Sequence, residues 1–357
     1  MESKLFQFRV HRSAFIVNCM TSISIIGAGG WGTALGAVAG RAGHEVRLWS
    51  RNAEVVEGIN GEQENLAYLI GHKLEGRVRA THELSEALRG AELVVLAAPS
   101  HATRGLLAQM RGQLTPGSTV VSATKGIEVE TGRRISELVR DELGASAASR
   151  FVCLSGPSFA QEVAARQPTA VVAASVDEAC AAKVQAAFSY DNLRVYTNAD
   201  VVGTELGGAV KNVVAVAAGM VSGLGLGANS VAALVTRGLS EIARLALAEG
   251  ARAETMMGLA VLGDLVLTCT GGLSRNRYVG QELGRGRTLS EILGGMKEVA
   301  EGVRTTRAVK LLAARAGIEM PITEQVYAVL YEGHSVRAAA EELMARPLKG
   351  EFAGAGE

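Results

Sequence analysis

The chain has 357 residues, 48% of them hydrophobic and only 4% aromatic, with 43 glycines. Its 36 basic and 36 acidic residues cancel, which argues against nucleic acid or an anionic membrane surface as the main partner. That length allows two domains and a substantial core.

Residues 1–19 stand apart. They carry Lys4, Arg9 and Arg12 and a short apolar piece, Ala14–Val17, too short for a secretory core. Met20 precedes the first strand-like run, so a start codon assigned too far upstream is favoured over a targeting peptide.

Ser22-Ile23-Ser24-Ile25-Ile26 then leads into Gly27-Ala28-Gly29-Gly30-Trp31-Gly32 and an apolar helix expected over Thr33–Ala42. A β-branched strand, a Gly-x-Gly-x-x-Gly turn and a helix together build a cradle for a dinucleotide pyrophosphate. Gly27 makes the tight turn, Gly29 lets backbone N–H groups approach the phosphates, and Gly32 lets helix and strand pack closely.

Short apolar runs continue at Val46–Trp49, Leu93–Ala97, Thr119–Ser122, Val152–Leu154 and Ala170–Ala174, alternating with amphipathic segments such as Glu83–Leu88, Thr103–Met110 and Arg133–Glu142. The alternation predicts a doubly wound parallel sheet of Rossmann type with helices on both faces. Gly27, Ser50, Pro99 and Lys125 would lie at the carboxyl ends of its strands, where such sheets bind ligands. About twenty residues past the glycines, a strand-end acid would hold a ribose 2′-hydroxyl. Ser50 and Arg51 stand there instead, which suits a 2′-phosphate and favours NADP while leaving NAD open; a merely solvated arginine is the bland alternative.

After about Asp200 the strand signal stops. Ala- and Leu-rich segments such as Leu239–Ala248, Glu254–Leu262 and Thr305–Ala314 predict an all-α second domain. The expected division is residues 1–19, an extension; 20–200, the dinucleotide-binding domain; 201–347, the helical substrate-binding domain; and 348–357, a tail. Asn212 to Val235 has no charge and is long enough to span a bilayer, but its glycines favour buried helices joined by a turn.

Several local features carry chemistry. Ala123-Thr124-Lys125-Gly126 follows a strand and places a lysine where cofactor or an anionic substrate could reach it. Leu154-Ser155-Gly156-Pro157-Ser158 reads equally as a ligand-binding turn or a capped one. Lys211, in Gly207-Gly208-Ala209-Val210-Lys211-Asn212, is the sole charge of an otherwise apolar helical stretch. Desolvation there lowers a lysine pKa and makes a usable general acid or base, against the alternative of a lysine snorkelling to the surface. Gly263-Asp264, Thr268-Cys269-Thr270 and Ser274-Arg275-Asn276-Arg277 combine a carboxylate with the donors a phosphate monoester needs, unless they form structural salt bridges. The four cysteines (Cys19, Cys153, Cys180, Cys269) are far apart and read as buried thiols in a reduced, cytosolic setting. His44 is read as structural; for His101, nearer the cleft, a structural role is favoured over a chemical one.

Taken together, Gly27–Gly32, Ala123–Gly126, Ser155–Ala160, Gly207–Asn212, Gly263–Thr270 and Ser274–Arg277 resemble the bacterial NAD(P)-dependent sn-glycerol-3-phosphate dehydrogenase family, from about Met20 to Arg346. The resemblance implies reversible hydride transfer between NAD(P)H and dihydroxyacetone phosphate, giving sn-glycerol 3-phosphate for phospholipid synthesis in the cytoplasm. It implies Lys211 as the catalytic proton carrier. Lys125, Gly156, Ser158, Asp264, Ser274, Arg275 and Asn276 would contact substrate. Gly30, Trp31, Arg51, Lys125, Ala160, Arg275, Val299 and Glu301 would contact cofactor. No metal, nucleic acid or stable membrane insertion is expected, and a homodimer is a candidate assembly. Two other readings stay open on the residues alone: a hydroxyacid dehydrogenase of the same plan acting on a carboxylate, and a non-catalytic NADP sensor.

Overall fold

The computed structural model describes residues 20–296, 300–348 and 350–351. The readings placed on residues 1–19, Val299 and most of the tail therefore lie outside the described residues. The first half of the chain builds an eight-stranded sheet and a small hairpin. In chain order the strands are β1 (Ser22–Ile26), β2 (Glu45–Trp49), β3 (Glu64–Asn65), β4 (Leu69–Lys73), β5 (Arg77–Thr81), β6 (Leu93–Leu96), β7 (Thr119–Ser122), β8 (Phe151–Ser155), β9 (Thr169–Ala174) and β10 (Leu193–Asn198). β3 and β4 form the hairpin, and the sheet order is β10-β9-β8-β7-β6-β1-β2-β5.

The chain moves outward from β1 to β2 and β5, then returns to β6 on the other flank, so the order reverses between β1 and β6. That switch point opens the crevice in which doubly wound sheets take their ligands. Ile23, Ile25 and Ile26 are fully buried, each stabilising by about 1.5–3 kcal/mol, because helices cover both faces.

The sheet is the expected doubly wound parallel one, with a single antiparallel pairing. β9 runs antiparallel to β8, and β10 is parallel to β9. Only the short helix Ala160–Ala164 separates β8 from β9. A parallel neighbour needs a crossover that carries the chain back along the sheet, usually on a full helix; a helix of 5 residues is too short for that, and the strand returns in the opposite direction. The first helix also begins earlier than expected, at Gly30, which places Gly30, Trp31 and Gly32 inside it.

From Val201 onward the described secondary structure is helical. The long helix Val201–Gly223 is buried from Gly203 to Met220 and organises the second core. Helix Arg275–Gly284 lies against it at close range, because a Cβ on Gly219 would stand 2.1 Å from the Arg277 carbonyl oxygen and one on Gly280 2.0 Å from that of Val216. Small residues are what allow this backbone approach.

The helical half corrects two expectations. The charge-free stretch is indeed two helices joined at Leu224–Gly227, Val201–Gly223 and Ala228–Ala248, but only the first is deeply buried; Val231, Leu234 and Val235 are half-buried. Glu254–Leu262 is not one helix. Ala253–Met256 is a single turn, and a wide π turn at Leu259–Gly263 feeds helix Asp264–Thr270. Such π turns shift the register of the helix behind them and are frequent at functional sites. Cys153, Cys180 and Cys269 are free and buried, as expected, and burial pushes each thiol pKa up. His44 is buried and its Nδ1 accepts from the Thr21 N–H at 3.2 Å, pinning the entry to β1.

Candidate active site

Gly27, Ser50, Pro99 and Lys125 all follow the carboxyl ends of sheet strands, on either side of the switch point. The glycine turn fits a dinucleotide by its own geometry. Gly27 has φ +121°, and a Cβ on it would stand 2.8 Å from the Ala97 carbonyl carbon. A Cβ on Gly32 would stand 2.0 Å from the Gly27 oxygen, whereas Gly29 has nothing within 4 Å. The turn is thus tight at both ends and open in the middle, at the N-terminus of helix Gly30–Arg41, where backbone N–H groups and the helix dipole favour an anion. Trp31 Nε1 is buried with no partner among the described residues. Ser50 is buried beside the turn, and Arg51 is exposed at its rim.

Across the crevice the two cores meet at a chain of charged side chains. Asp264, 1% exposed, stands between two lysines: its Oδ1 is 2.9 Å from Lys211 Nζ and its Oδ2 is 2.8 Å from Lys125 Nζ. Lys211 Nζ also donates to Thr268 Oγ1 at 2.6 Å, and Thr268 Oγ1 donates to the Asp264 carbonyl at 2.6 Å. One turn of helix Asp264–Thr270 therefore holds the Lys211 ammonium by carboxylate and hydroxyl together. Lys125 Nζ further donates to the Gly156 carbonyl at 2.8 Å and approaches Ser158 Oγ at 3.4 Å. Burial lowers the Lys211 pKa to about 8, with the Asp264 carboxylate pulling the other way and the Lys125 charge adding to the lowering.

The remaining predicted residues take the following places. Ser274 caps helix Arg275–Gly284, its Oγ accepting from the Arg277 N–H, so that Arg275 opens the helix. Asn276 is buried; its Nδ2 donates to Asn212 Oδ1 at 2.9 Å and its Oδ1 accepts from the Gly302 N–H at 2.8 Å. Those bonds show a framework role that sequence reasoning did not foresee. Ala160 opens its short helix after β8 and packs against the first core. Glu301 opens helix Glu301–Ala316. Lys211 is not the only charge of its helix. Glu205, two turns earlier and also buried, accepts from the Ser136 N–H at 2.8 Å and from its hydroxyl at 2.6 Å, tying the two cores together away from the site.

Comparison with known proteins decides the lineage. Models for the N-terminal and C-terminal parts of NAD-dependent glycerol-3-phosphate dehydrogenase match residues 22–181 and 200–341. The chain belongs to the NAD-dependent glycerol-3-phosphate dehydrogenase family. Glycerol-3-phosphate dehydrogenase [NAD(P)+] of Koribacter versatilis is 54% identical over 330 residues, which are 92% of this chain and 98% of that protein. The namesake of Geobacter sulfurreducens is 52% identical over 329 residues, again 92% and 98%. Among solved structures, the glycerol-3-phosphate dehydrogenase of Coxiella burnetii superposes with a TM-score of 0.87 at 39% identity, covering 92% of this chain and 99% of that one. A ketopantoate reductase of Ralstonia eutropha shares the fold alone, at TM-score 0.57 and 19% identity.

The sheet half carries the glycine turn and Lys125, and the helical half carries Lys211, Asp264 and Arg275. The crevice between them brings together groups as distant in sequence as Lys125 and Asp264.

Proposed function

We propose that the chain catalyses the reversible NAD(P)H-dependent reduction of dihydroxyacetone phosphate to sn-glycerol 3-phosphate, as an oxidoreductase of the cytoplasm that feeds phospholipid synthesis. The observation that carries this reading is the buried Lys211–Asp264–Lys125 chain facing the dinucleotide crevice. Residues 20–200 would bind the cofactor and residues 201–347 the substrate, and a homodimer is the assembly to test first.

When bound, the nicotinamide dinucleotide supplies or accepts the hydride. Gly27, Gly29 and Gly32 would shape the turn for its pyrophosphate, Gly30, Trp31, Ala160 and Glu301 would contribute further contacts, and Arg51 would take the ribose end. Lys211 gives its proton to the carbonyl oxygen of dihydroxyacetone phosphate as the carbonyl carbon is reduced, and takes a proton from the hydroxyl in the reverse direction. Asp264 keeps the ammonium aimed, and Lys125 adds positive charge where the alkoxide develops. Arg275, with Ser274 and Asn276, holds the phosphate, so that binding energy far from the reacting carbon orients it. Gly156 and Ser158 hold Lys125 and line the substrate side.

The test is oxidation of NADPH and of NADH, followed separately with dihydroxyacetone phosphate and with 2-keto acids. Turnover of the phosphorylated ketone supports the reading. Preference for a keto acid, or cofactor binding without any turnover, would overturn it.

A further inference from the structure

The two halves of the chain are joined at the mouth of the crevice by a bond that serves as a helix cap. Ser100 opens the helix after β6, Ser100–Met110. Its backbone N–H donates to Glu301 Oε1 at 3.2 Å and its hydroxyl donates to Glu301 Oε2 at 2.6 Å. A carboxylate from the helical half thus satisfies the first orphan N–H of a helix in the sheet half. Gly126 leaves the room for it, since a Cβ there would stand 2.5 Å from Ser100 Cβ.

This bond sets the first turns of two helices side by side. His101 follows Ser100, and Arg304 lies one turn on from Glu301, on the same side of its helix. Arg51 follows β2, which only β1 separates from β6, a distance of about 10 Å across the sheet. Arg51, His101 and Arg304 are all exposed, and none of their side chains makes a hydrogen bond or ion pair among the described residues. Burial and then the Arg304 guanidinium hold the His101 imidazole below its ordinary pKa; Arg51 adds to this, and the Glu301 and Glu130 carboxylates oppose it. Glu301 is already engaged by Ser100. Two guanidiniums and an imidazole gathered at one edge of a ligand crevice repel one another until an anion sits among them.

We propose that Arg51, His101 and Arg304 form one cationic pocket for the 2′-phosphate of NADP(H), with Arg304 reaching in from the helical half. The pyrophosphate has its own receptor in the glycine turn and the helix N-terminus behind it, whereas the end of the second strand is where the adenosine ribose is read. Arg304 is thereby a specificity residue, held in place by the Ser100–Glu301 bond. The inference rests on the dinucleotide-dependent reading of the chain.

Calorimetric titration of the full chain with 2′,5′-ADP, 5′-AMP and 5′-ADP tests it without turnover. The wild-type chain should bind 2′,5′-ADP about tenfold or more tightly than 5′-AMP, the scale of a charge-assisted contact. Arg304→Gln should bring that ratio toward one, and Arg304→Lys should retain part of it. Retained 5′-AMP binding in the variant reports an intact crevice. An unchanged ratio in Arg304→Gln, an equal loss of 5′-ADP affinity (which would assign Arg304 to the pyrophosphate), or a wild-type ratio near one would each overturn the proposal. Turnover of dihydroxyacetone phosphate by the wild-type chain is scored separately. Its absence alongside a normal ratio would remove the reductase reading and leave the pocket standing.

Discussion

Lys211 and Asp264 face each other at 2.9 Å, the lysine in helix Val201–Gly223 and the aspartate at the start of helix Asp264–Thr270, both almost wholly out of water. An isolated buried ammonium would lose its proton; this one keeps it near neutrality because the carboxylate offsets part of the desolvation. The pair is therefore poised to give and take a proton at ordinary pH, which a solvated lysine is not.

Replacing Lys211 by Met removes the proton carrier while preserving length and apolar bulk. Turnover of dihydroxyacetone phosphate should fall by about 10²–10⁴-fold, the usual contribution of a positioned acid. Asp264 keeps Lys125 as its ion-pair partner at 2.8 Å, so the fold should survive. Cofactor affinity, measured by protein fluorescence, should stay near the wild-type value. Turnover within a few-fold of wild type would remove Lys211 from the mechanism.

The lowered Lys211 pKa, about 8, fixes the direction of the pH profiles. Reduction needs the protonated amine, so its kcat should be level below about pH 8 and decline above it. Oxidation needs the neutral amine, so its kcat should rise through the same region. Asp264→Asn removes the carboxylate that raises this pKa and should move both inflections to lower pH. Profiles of wild type and variant that inflect at the same pH would show that another group titrates.

The parts of this site legible in the sequence are those where chemistry demands a residue type at a fixed place. The glycine turn needs Gly27 and Gly32 for steric reasons, and a lone lysine amid alanine and valine announces a perturbed amine. Strands were legible where they are buried on both faces. The two missed strands of the main sheet, β5 and β10, are its edges, and their alternating exposed residues weaken the apolar run that marks a buried strand. The bridging position of Asp264 depends on the π turn before it, and the Ser100–Glu301 bond joins residues 201 positions apart. Neither leaves a local signal.

Arg275 opens a helix capped by Ser274 and stands in the half of the chain that we assign to the substrate. Its replacement by Ala should raise the KM for dihydroxyacetone phosphate by about 10–100-fold, the range for losing a hydrogen bond to a charged group. Activity toward unphosphorylated dihydroxyacetone should change far less, because that substrate has no phosphate to hold. An equal loss on both ketones would point to a general distortion and not to phosphate recognition.

Stability should carry a separate pH signature from Glu241, far along the chain in helix Ala228–Ala248. Its carboxylate is 3% exposed and accepts from the Ile322 N–H at 2.6 Å and from the Thr323 N–H and hydroxyl at 3.3 Å each, capping helix Pro321–Tyr331. Burial nevertheless dominates and raises its pKa to about 7. The unfolded chain would hold this proton only to about pH 4.3. Between those values the native state binds more protons than the unfolded one, so this contribution to stability is greatest below about pH 4.3 and is lost as pH rises through about 7. Glu241→Gln keeps an acceptor oxygen for Ile322 and abolishes the titration. The Tm of the variant minus that of wild type should therefore climb between pH 5 and pH 8 in thermal melts; a difference that stays flat across that range would show that Glu241 is charged throughout in the folded state.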